Sequence, residues 1–291
     1  MKIIFSRKGF DTSNGGIPSP MFADGTLLSL PIPEGISSLP YKDIQFNGKN
    51  YAKIICELNP RGKPNTNAHL DPDLRYNARN RISNKNIWRG LFGQWGVAQA
   101  ILQKCGIGKD DIFLFFGWFK ETIEKNGSFC YKPNAPDVHA VWGYMQVESL
   151  IKRQKEYLDY ANNNPDIKNH PHAQGFQANI YPNNCIYVAR DKLSYNDKIH
   201  GYGVLRNKQN GNSIILTENQ KTKTNWKLPR DVFANVKFCS HNKNNLFDSE
   251  GRWCWKTLGQ EFVVDCTKEP NKKVEEWAKN LIDANYDNSD D

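Results

Sequence analysis

Short apolar runs separated by polar turns make up most of this chain, and they predict strands more often than helices. Residues 111–120 are almost continuously apolar, as expected of a strand covered on both faces. Asn-Gly pairs at 47–48, 126–127 and 210–211 favour the positive φ of tight hairpin turns. The pattern therefore predicts a mainly antiparallel sheet. Its strands are expected at 2–5, 26–30, 43–46, 51–58, 111–120, 128–131, 137–147, 184–189, 202–205, 213–217, 253–255 and 261–265.

Helical spacing of apolar residues occurs in fewer places. Residues 95–105 and 148–160 are amphipathic at that spacing, and Gly106 is a suitable C-terminal stop for the first of them. A short helix at 230–233 and a closing helix after Pro270 complete the set. The apolar positions expected in the core are Val97, Ala98, Ile101, Leu102, Leu150, Ile151, Tyr157, Leu158, Val274, Trp277, Leu281 and Ile282.

Together these elements predict one α+β domain over residues 1–284. About four helices should pack against a mainly antiparallel sheet, which could be barrel-like. Residues 285–291 are acidic and are expected to form a frayed tail. The chain shows neither an internal repeat nor a linker long enough to separate two modules.

The first polar interruption follows the opening apolar run, at residues 5–20. Glycine, hydroxyl and cationic side chains in such a loop suit a phosphate or a sugar, whereas the alternative is a surface turn. The candidates for substrate binding are Ser6, Arg7, Lys8, Ser13, Gly15 and Gly16, and Asp11 is a candidate for chemistry.

Residues 59–86 are polar and lack periodicity, and a loop of this length usually serves a site. If the segment is extended, His69, Asp71 and Asp73 share one face. They would then form a divalent-metal site or a histidine acid/base held by carboxylates. The alternative is an Asx-type turn in which Asp-Pro starts a helix.

A second polar loop is expected at residues 161–182. It contains His170 and His172, which would lie on one side if the backbone is extended, as in a metal site or an acid/base pair. His172 and His139 are thus additional candidates. Gln94 could reach a base or sugar, and Trp118 could stack on a base, although a solvated glutamine and a core ring are the alternatives.

Composition narrows the partners. The chain has 291 residues and a formal net charge of +8, which favours an anionic partner such as a nucleotide or nucleic acid. Seven cysteines occur singly, without a C-x-x-C pair, as in a reduced cytoplasmic protein. The N-terminal apolar run is too short for a signal peptide, and no run reaches the length of a membrane span.

Several blocks of the chain resemble the nucleotide modification associated domain 3 family. They are S-R-K-G-F-D at 6–11, G-G-I-P-S-P at 15–20, D-G-T-L-L-S-L-P-I-P at 24–33, H-L-D-P-D-L at 69–74, F-G-Q at 92–94 and D-I-F-L-F-F-G-W-F at 111–119. The resemblance runs through most of the chain in the same order. It implies a role near nucleotide or DNA-base modification and supplies no reaction.

A second likeness is confined to the strands around residues 112–147. Strand, hairpin and glycine-containing strand are similar in pattern to base-recognising barrels of the PUA/ASCH/EVE type. That likeness implies that Trp118, Trp142 and Tyr144 offer stacking surfaces, against the alternative that these rings fill a core.

Two functional hypotheses follow. In the first, the protein is an enzyme that modifies a nucleotide or a base in nucleic acid, with the reaction, and any need for a divalent metal, left open. In the second, it is a non-catalytic module that binds modified bases or a signalling nucleotide. A role in phage defence or counter-defence is compatible with both. The GxxxxGK[ST], GxGxxG and GxSxG motifs are absent, which argues against ATP-driven, simple dehydrogenase and serine-hydrolase functions.

Overall fold

A computed structural model of the chain describes residues 1–35, 37–62, 66–208, 213–239, 253–254 and 261–287. Within them are six α-helices and fifteen strands. The helices are α1 Tyr51–Leu58, α2 Gly96–Lys104, α3 Gln154–Asn163, α4 Pro171–Ala178, α5 Arg230–Phe233 and α6 Lys272–Asn285. The strands are β1 Lys2–Arg7, β2 Ser19–Met21, β3 Gln45–Phe46, β4 Lys49–Asn50, β5 Leu91–Gln94, β6 Ile112–Lys125, β7 Ser128–Tyr131, β8 Val138–Ile151, β9 Cys185–Ala189, β10 Lys192–Leu193, β11 Asn196–His200, β12 Tyr202–Val204, β13 Asn225–Trp226, β14 Trp253–Cys254 and β15 Glu261–Asp265.

Nine of these strands form one sheet, in which the order β15-β1-β6-β8-β9-β5 is the main path. The strands β2 and β7 also pair with β6, and β12 pairs with β8. Only β1 and β2 run parallel to β6; the other pairings in the described sheet are antiparallel. The predicted α+β class and mainly antiparallel sheet are confirmed.

The sheet does not close into a barrel, although its two ends approach each other. The main path ends at β5 and β15, and those strands meet through side chains: Gln94 Nε2 donates to Glu261 Oε1 at 2.7 Å. A side-chain contact cannot continue the backbone ladder that closure requires. The suggested barrel-like form is therefore replaced by an open, curved sheet.

Aromatic rings fill both faces of this sheet. On one face, Phe92 packs against Phe113, Phe115 and Tyr187 at centroid distances of 4.9–5.6 Å. On the other, the ring of Phe5 contacts Trp226 and side chains of α5 and α6. Two smaller apolar clusters lie beside the sheet, one around α1 and one around α3 and α4.

Residues 51–58 form helix α1, so the strand expected there is wrong. The Asn47-Gly48 turn does join two antiparallel strands, but β4 ends at Asn50, whose side chain accepts a hydrogen bond from the Lys53 N–H at 2.8 Å and caps the helix. The apolar residues of this run repeat at helical rather than alternating spacing. Its buried members are Tyr51, Ile54, Ile55 and Leu58.

The helix expected over 148–160 is also displaced. Strand β8 continues to Ile151, and α3 begins at Gln154. The Glu156 carboxylate accepts the backbone N–H groups of Lys152 and Arg153, which fixes the start of the helix. Leu158 is consequently 53% exposed rather than part of the core.

Helix α2 lies where the sequence predicts, but its buried residues differ in part from the predicted core positions. Val97 is 80% exposed, whereas Gln99 is buried and accepts a hydrogen bond from the Tyr187 hydroxyl at 3.0 Å. A buried amide with a partner of this kind is stable inside a protein. Apolar spacing therefore placed Leu102 in the core correctly, but it wrongly included Val97 and missed Gln99.

The polar segment 161–182 is not a continuous loop, because it contains a 3₁₀ turn at Pro165–Asn169 and then helix α4. The predicted strands at 26–30 and 213–217 are reduced to single bridges such as Thr26–Arg206 and Ala140–Ile215. Helices α1 and α4 were not predicted, which is why the described residues contain six helices instead of the expected four.

At the C-terminus, α6 extends through Asn285, whose side chain is fully buried and donates to the Leu281 carbonyl at 3.0 Å. Asp287 is buried as well, so the first part of the predicted tail is packed. The expected turn at 210–211, Trp255 of the expected strand and tail residues 288–291 lie outside the described residues. Among the helices that can be described, none combines the length and apolar character needed to cross a bilayer.

Candidate functional site

Three histidines and one aspartate meet at the β5 edge of the sheet. His69 and Asp71 come from the irregular segment before β5, and His170 and His172 come from the start of α4. Asp71, His170 and His172 are buried, while His69 keeps a partly exposed edge. The group is thus a polar cluster inside the protein with one side near solvent, and we call it the imidazole cluster.

Strand β5 fixes the carboxylate at the centre of the cluster. The Gly93 N–H donates to Asp71 Oδ1 at 2.7 Å. Asp73 and Leu91 exchange two backbone hydrogen bonds at 2.8 and 3.0 Å, which ties the segment carrying Asp71 to the same strand. Asp71 is followed by a cis peptide bond to Pro72. Asp71 is therefore held by backbone contacts on both sides.

The first turn of α4 brings the other two imidazoles to this carboxylate. Pro171 occupies the first turn, where its missing N–H is tolerated, and His170 Nδ1 accepts the His172 N–H at 3.3 Å. The ring of His172 lies directly over Gly93, where any Cβ would overlap it. His170 Nε2 lies 3.2 Å from Asp71 Oδ1 without hydrogen-bond geometry.

The Nδ1 atoms of His69 and His172 each lie close to a side-chain oxygen. His69 Nδ1 lies 2.7 Å from Glu34 Oε2, and His172 Nδ1 lies 2.8 Å from the Asn184 side-chain oxygen. The Nε2 atoms of both rings then lie 3.7 Å from Asp71 Oδ2. Each ring is anchored through Nδ1 and presents Nε2 to the same oxygen.

Burial and charge set the protonation states. Burial opposes the charged form of His69, but the adjacent carboxylates of Asp71 and Glu34 outweigh it and raise the His69 pKa to about 9. Burial lowers the pKa of His172 to about 3, so this ring is neutral. Burial opposes ionisation of Asp71, but the adjacent imidazoles of His170 and His69 outweigh it and hold the Asp71 pKa well below its usual value.

An aromatic surface borders the exposed side of the imidazole cluster. The Tyr181 hydroxyl donates to Glu34 Oε1 at 2.9 Å, and Trp95 stacks on the Tyr181 ring at a centroid distance of 4.9 Å. Trp95 is 44% exposed, and two apolar residues near these rings in sequence are also exposed, Val97 after Trp95 and Ile180 before Tyr181. Exposed rings of this kind are suitable platforms for a nucleobase.

The same atoms could hold a metal ion. Ligand atoms of His69, Asp71 and His172 all lie within 4.8 Å of one another. Two imidazoles and one carboxylate form a donor set used by non-haem iron and by catalytic zinc. The arrangement therefore suits proton transfer or metal binding, as expected for His69 and Asp71, but with His172 as the third member.

Asp73, the third residue of the predicted extended face, lies in a different environment. Its carboxylate is paired with Arg81 at 2.7 and 3.0 Å and with Arg79 at 3.3 Å. All three side chains are almost fully buried. These contacts give Asp73 a structural role in holding the segment that follows the cluster.

Part of the glycine-rich loop joins a second polar group, inside the curved sheet. Lys8 Nζ lies 3.7 Å from Glu261 Oε1, and the Ser6 hydroxyl lies 3.4 Å from the same oxygen, which Gln94 also contacts. Burial raises the pKa of Glu261. Since Gly93 and Gln94 are neighbours in β5, this group and the imidazole cluster contact successive residues of one strand.

The exposed part of the loop folds on itself. Asp11 accepts the backbone N–H groups of Ser13 and Asn14 at 2.8 and 2.7 Å and lies 3.8 Å from Arg7. Gly15 and Gly16 have φ values of +88° and +71°, which only glycine adopts readily. Asp11 therefore organises the turn, and none of these contacts involves an imidazole.

His139 lies in β8 and Trp118 lies in the neighbouring strand β6, apart from the imidazole cluster. His139 Nδ1 accepts the Trp226 indole N–H at 3.1 Å, and burial lowers its pKa to about 3. The Trp118 ring is covered by the Lys223 ammonium at 3.7 Å from the centroid. These contacts give both side chains structural partners.

Three members of the site were not candidates from the sequence: Glu34, Tyr181 and Asn184. His170 carried a signal, because it is separated from His172 by one residue. Glu34 and Asn184 lie in polar stretches without a recognisable motif, and they join the cluster only through the fold. Gln94 was a candidate, and its buried contact with Glu261 takes it into the second polar group.

One comparison with known proteins finds a match. A family model described as nucleotide modification associated domain 3 covers residues 2–274, nearly the whole chain. The matched range contains all members of the imidazole cluster and of the Glu261 group. No curated protein and no solved structure matches the chain.

Proposed function

Because the chain belongs to the nucleotide modification associated domain 3 family, we propose that it is an enzyme that modifies a nucleotide or a base in nucleic acid. The imidazole cluster is the proposed reaction centre. Family membership supports the nucleotide as substrate, while the assignment of chemistry to His69, Asp71 and His172 rests on their geometry.

The observation that carries this proposal is the burial of the cluster beside an exposed edge. Burying three imidazoles and a carboxylate costs free energy unless each is paired, and a core made of apolar residues avoids that cost. A reaction centre has a use for such a group, since excluding water strengthens its electrostatic effect on a bound substrate. The partly exposed edge of His69 gives the substrate its access.

The Trp95–Tyr181 stack supplies a proposed place for the base. Base stacking on an exposed ring contributes roughly 1–3 kcal/mol and tolerates any base. Tyr181 contacts Glu34, and Glu34 contacts His69. A base stacked on Trp95 would therefore be connected to the reaction centre through Tyr181 and Glu34.

The exposed turn of the N-terminal loop is a proposed phosphate contact for a longer substrate such as DNA. Ser13, Gly15 and Gly16 are exposed there, next to Arg7 and its neighbours. The net charge of +8 supports binding of a polyanion. Six cysteines are free thiols in the described residues, which supports the proposed cytoplasmic location.

The proposal is tested by the nucleosides of cells that produce the protein. DNA, RNA and the free nucleotide pool are digested separately and analysed by mass spectrometry. We expect a nucleoside of altered mass in one fraction with the wild type, and its loss with His69→Gln and Asp71→Asn. The control is His200→Gln, a histidine in the β10–β11 hairpin that contacts Asp191 and Lys192.

Identical nucleosides in all four strains would overturn the enzymatic proposal. If the purified wild type then binds DNA or nucleotides without altering them, the non-catalytic binding module replaces it. Equal yields of folded protein, checked by circular dichroism, are required of each variant before the strains are compared.

A further inference from the structure

We propose that Nε2 of His69, Nε2 of His172 and Oδ2 of Asp71 bind a divalent first-row transition-metal ion. The catalytic use of the ion rests on the proposed function, whereas its binding can be measured without any substrate. Three observations in the imidazole cluster support this ligand set over a purely hydrogen-bonded one.

The first observation is the orientation of the two rings. A metal-bound histidine almost always uses its other ring nitrogen to contact a carboxylate or a carbonyl oxygen, which fixes the ring and its tautomer. His69 Nδ1 has the Glu34 carboxylate at 2.7 Å, and His172 Nδ1 has the Asn184 side-chain oxygen at 2.8 Å. Both Nε2 atoms are thereby directed to the inside of the cluster.

The second observation is the spacing of the inner atoms. Both Nε2 atoms lie 3.7 Å from Asp71 Oδ2, which is too long for a normal N–H···O hydrogen bond. Ligand atoms around a tetrahedral ion with bonds of about 2.0–2.2 Å stand roughly 3.4 Å apart. The two separations from Oδ2 are close to that value, and ligand atoms of the three residues all lie within 4.8 Å of one another.

The third observation is how the two oxygens of Asp71 are used. Oδ1 accepts the Gly93 N–H at 2.7 Å and faces the buried His170 Nε2 at 3.2 Å. His170 Nε2 is itself fully buried without a hydrogen bond. Oδ1 is thus occupied by backbone and His170, which leaves Oδ2 as the oxygen aimed at the two Nε2 atoms.

The donor set also limits the kind of ion and of site. Two nitrogens and one oxygen favour iron, cobalt, zinc or manganese in the divalent state over calcium or magnesium, which prefer oxygen ligands. Three protein ligands leave at least one coordination position for water or substrate, as in catalytic rather than structural zinc sites.

Metal binding is tested on the purified full chain. The protein is stripped with a chelator, dialysed against Zn²⁺, Co²⁺, Mn²⁺ or, without oxygen, Fe²⁺, and analysed for bound metal. We expect close to one ion per chain for at least one of these metals. His69→Gln and Asp71→Asn should lower the affinity at least tenfold, and His200→Gln should leave it unchanged.

Glu34→Gln gives a second readout that loss of folding would not produce. It keeps a polar group at His69 Nδ1 but removes the charge, so the stoichiometry should persist while affinity falls about 10- to 100-fold. Circular dichroism and thermal unfolding identify any variant that fails to fold. His69 is the most exposed of the three ligands, so His69→Gln should disturb folding least.

The inference is overturned if the wild type retains no stoichiometric ion of any of the four metals. It is also overturned if folded His69→Gln and Asp71→Asn bind metal as tightly as His200→Gln. A bound ion in a protein that alters no nucleoside would reject the proposed function alone. An altered nucleoside with a protein that binds no ion would reject the metal alone.

Discussion

At the scale of single residues, Gly93 is the position on which the geometry of the cluster depends most directly. Its N–H holds Asp71, and the absence of a side chain lets the His172 ring lie on the strand. A larger residue would keep the N–H but push the ring away. The effect on packing and the effect on the cluster therefore come from one substitution.

We expect Gly93→Ala to lower the free energy of unfolding by about 1–3 kcal/mol, the usual cost of overpacking, and to weaken metal binding by displacing His172. Urea denaturation and metal analysis check both effects. The matched control is Gly108→Ala, because no atom lies within 4 Å of the Cβ it would add. A fully stable Gly93→Ala protein with unchanged metal affinity would contradict the assigned role of this close approach.

Residue types alone selected three groups that the fold brings together, because imidazole and carboxylate groups have few other uses in long polar segments. His69, Asp71 and His172 were candidates on that ground, and the structure brings these three together. The assumption of an extended strand failed for Asp73, since its carboxylate pairs with two arginines instead. Spacing along the chain could not distinguish these two environments.

At the scale of elements, Asp73 and its two arginines stabilise the segment between the cluster and β5. The guanidinium groups of Arg79 and Arg81 are buried with the carboxylate. Arg79 also contacts Asp166, which connects this segment to the turn before α4. The ion-pair network therefore joins the two chain segments that supply the imidazoles.

Asp73→Asn should lower the free energy of unfolding by about 3–5 kcal/mol, because it removes the carboxylate paired with buried Arg81 and one of the two carboxylates near buried Arg79. Lys109→Ala is the control, since its ion pair with Glu148 is exposed and should change stability by less than about 1 kcal/mol. Urea denaturation of both variants measures the difference. Similar values for the two would show that the network contributes little.

The sequence predicted hairpins better than the boundaries between strand and helix. Asn126-Gly127 joins β6 and β7 as expected, because the positive φ of such a turn depends on the two residues themselves. The hairpin turn before α1 led to a strand prediction, whereas the apolar residues of α1 repeat at helical spacing and Asn50 caps the helix. The face that α2 buries depends on Tyr187, a distant residue that the local pattern does not include.

At the scale of the whole molecule, stability should depend on pH through histidines that are buried neutral. His139 is one, with its pKa lowered to about 3 by burial and by the nearby charges of Lys223 and Arg7. Its ordinary pKa is about 6.5. As the pH falls below that value, the unfolded chain binds a proton that the folded chain does not, and stability falls.

His139→Asn should reduce this loss, because asparagine offers Trp226 an oxygen acceptor but does not titrate. Between about pH 6.5 and pH 4, the wild type should lose stability faster than the variant, by up to about 1.4 kcal/mol per pH unit. Above about pH 7.5 the two slopes should agree. Urea midpoints measured across this range check the prediction, and parallel curves throughout would contradict it.

The overall architecture was predictable only in class. Hairpin signals and apolar runs indicate a mainly antiparallel α+β fold, and the family match covers residues 2–274. The order of the strands follows from pairings between distant segments, such as β1 with β15 and β5 with β9. Those long-range pairings also determine which polar segments meet, so the site could not be assembled from the sequence alone.

The adjacency of Gly93 and Gln94 has a consequence for how signals could pass through the protein. One residue contacts the carboxylate of the imidazole cluster, and the next contacts the buried Glu261 beside Lys8. A ligand that displaced β5 at the imidazole cluster would therefore also displace the residue that contacts Glu261. The surroundings of the Asp71 and Glu261 carboxylates therefore both depend on the position of this one short strand.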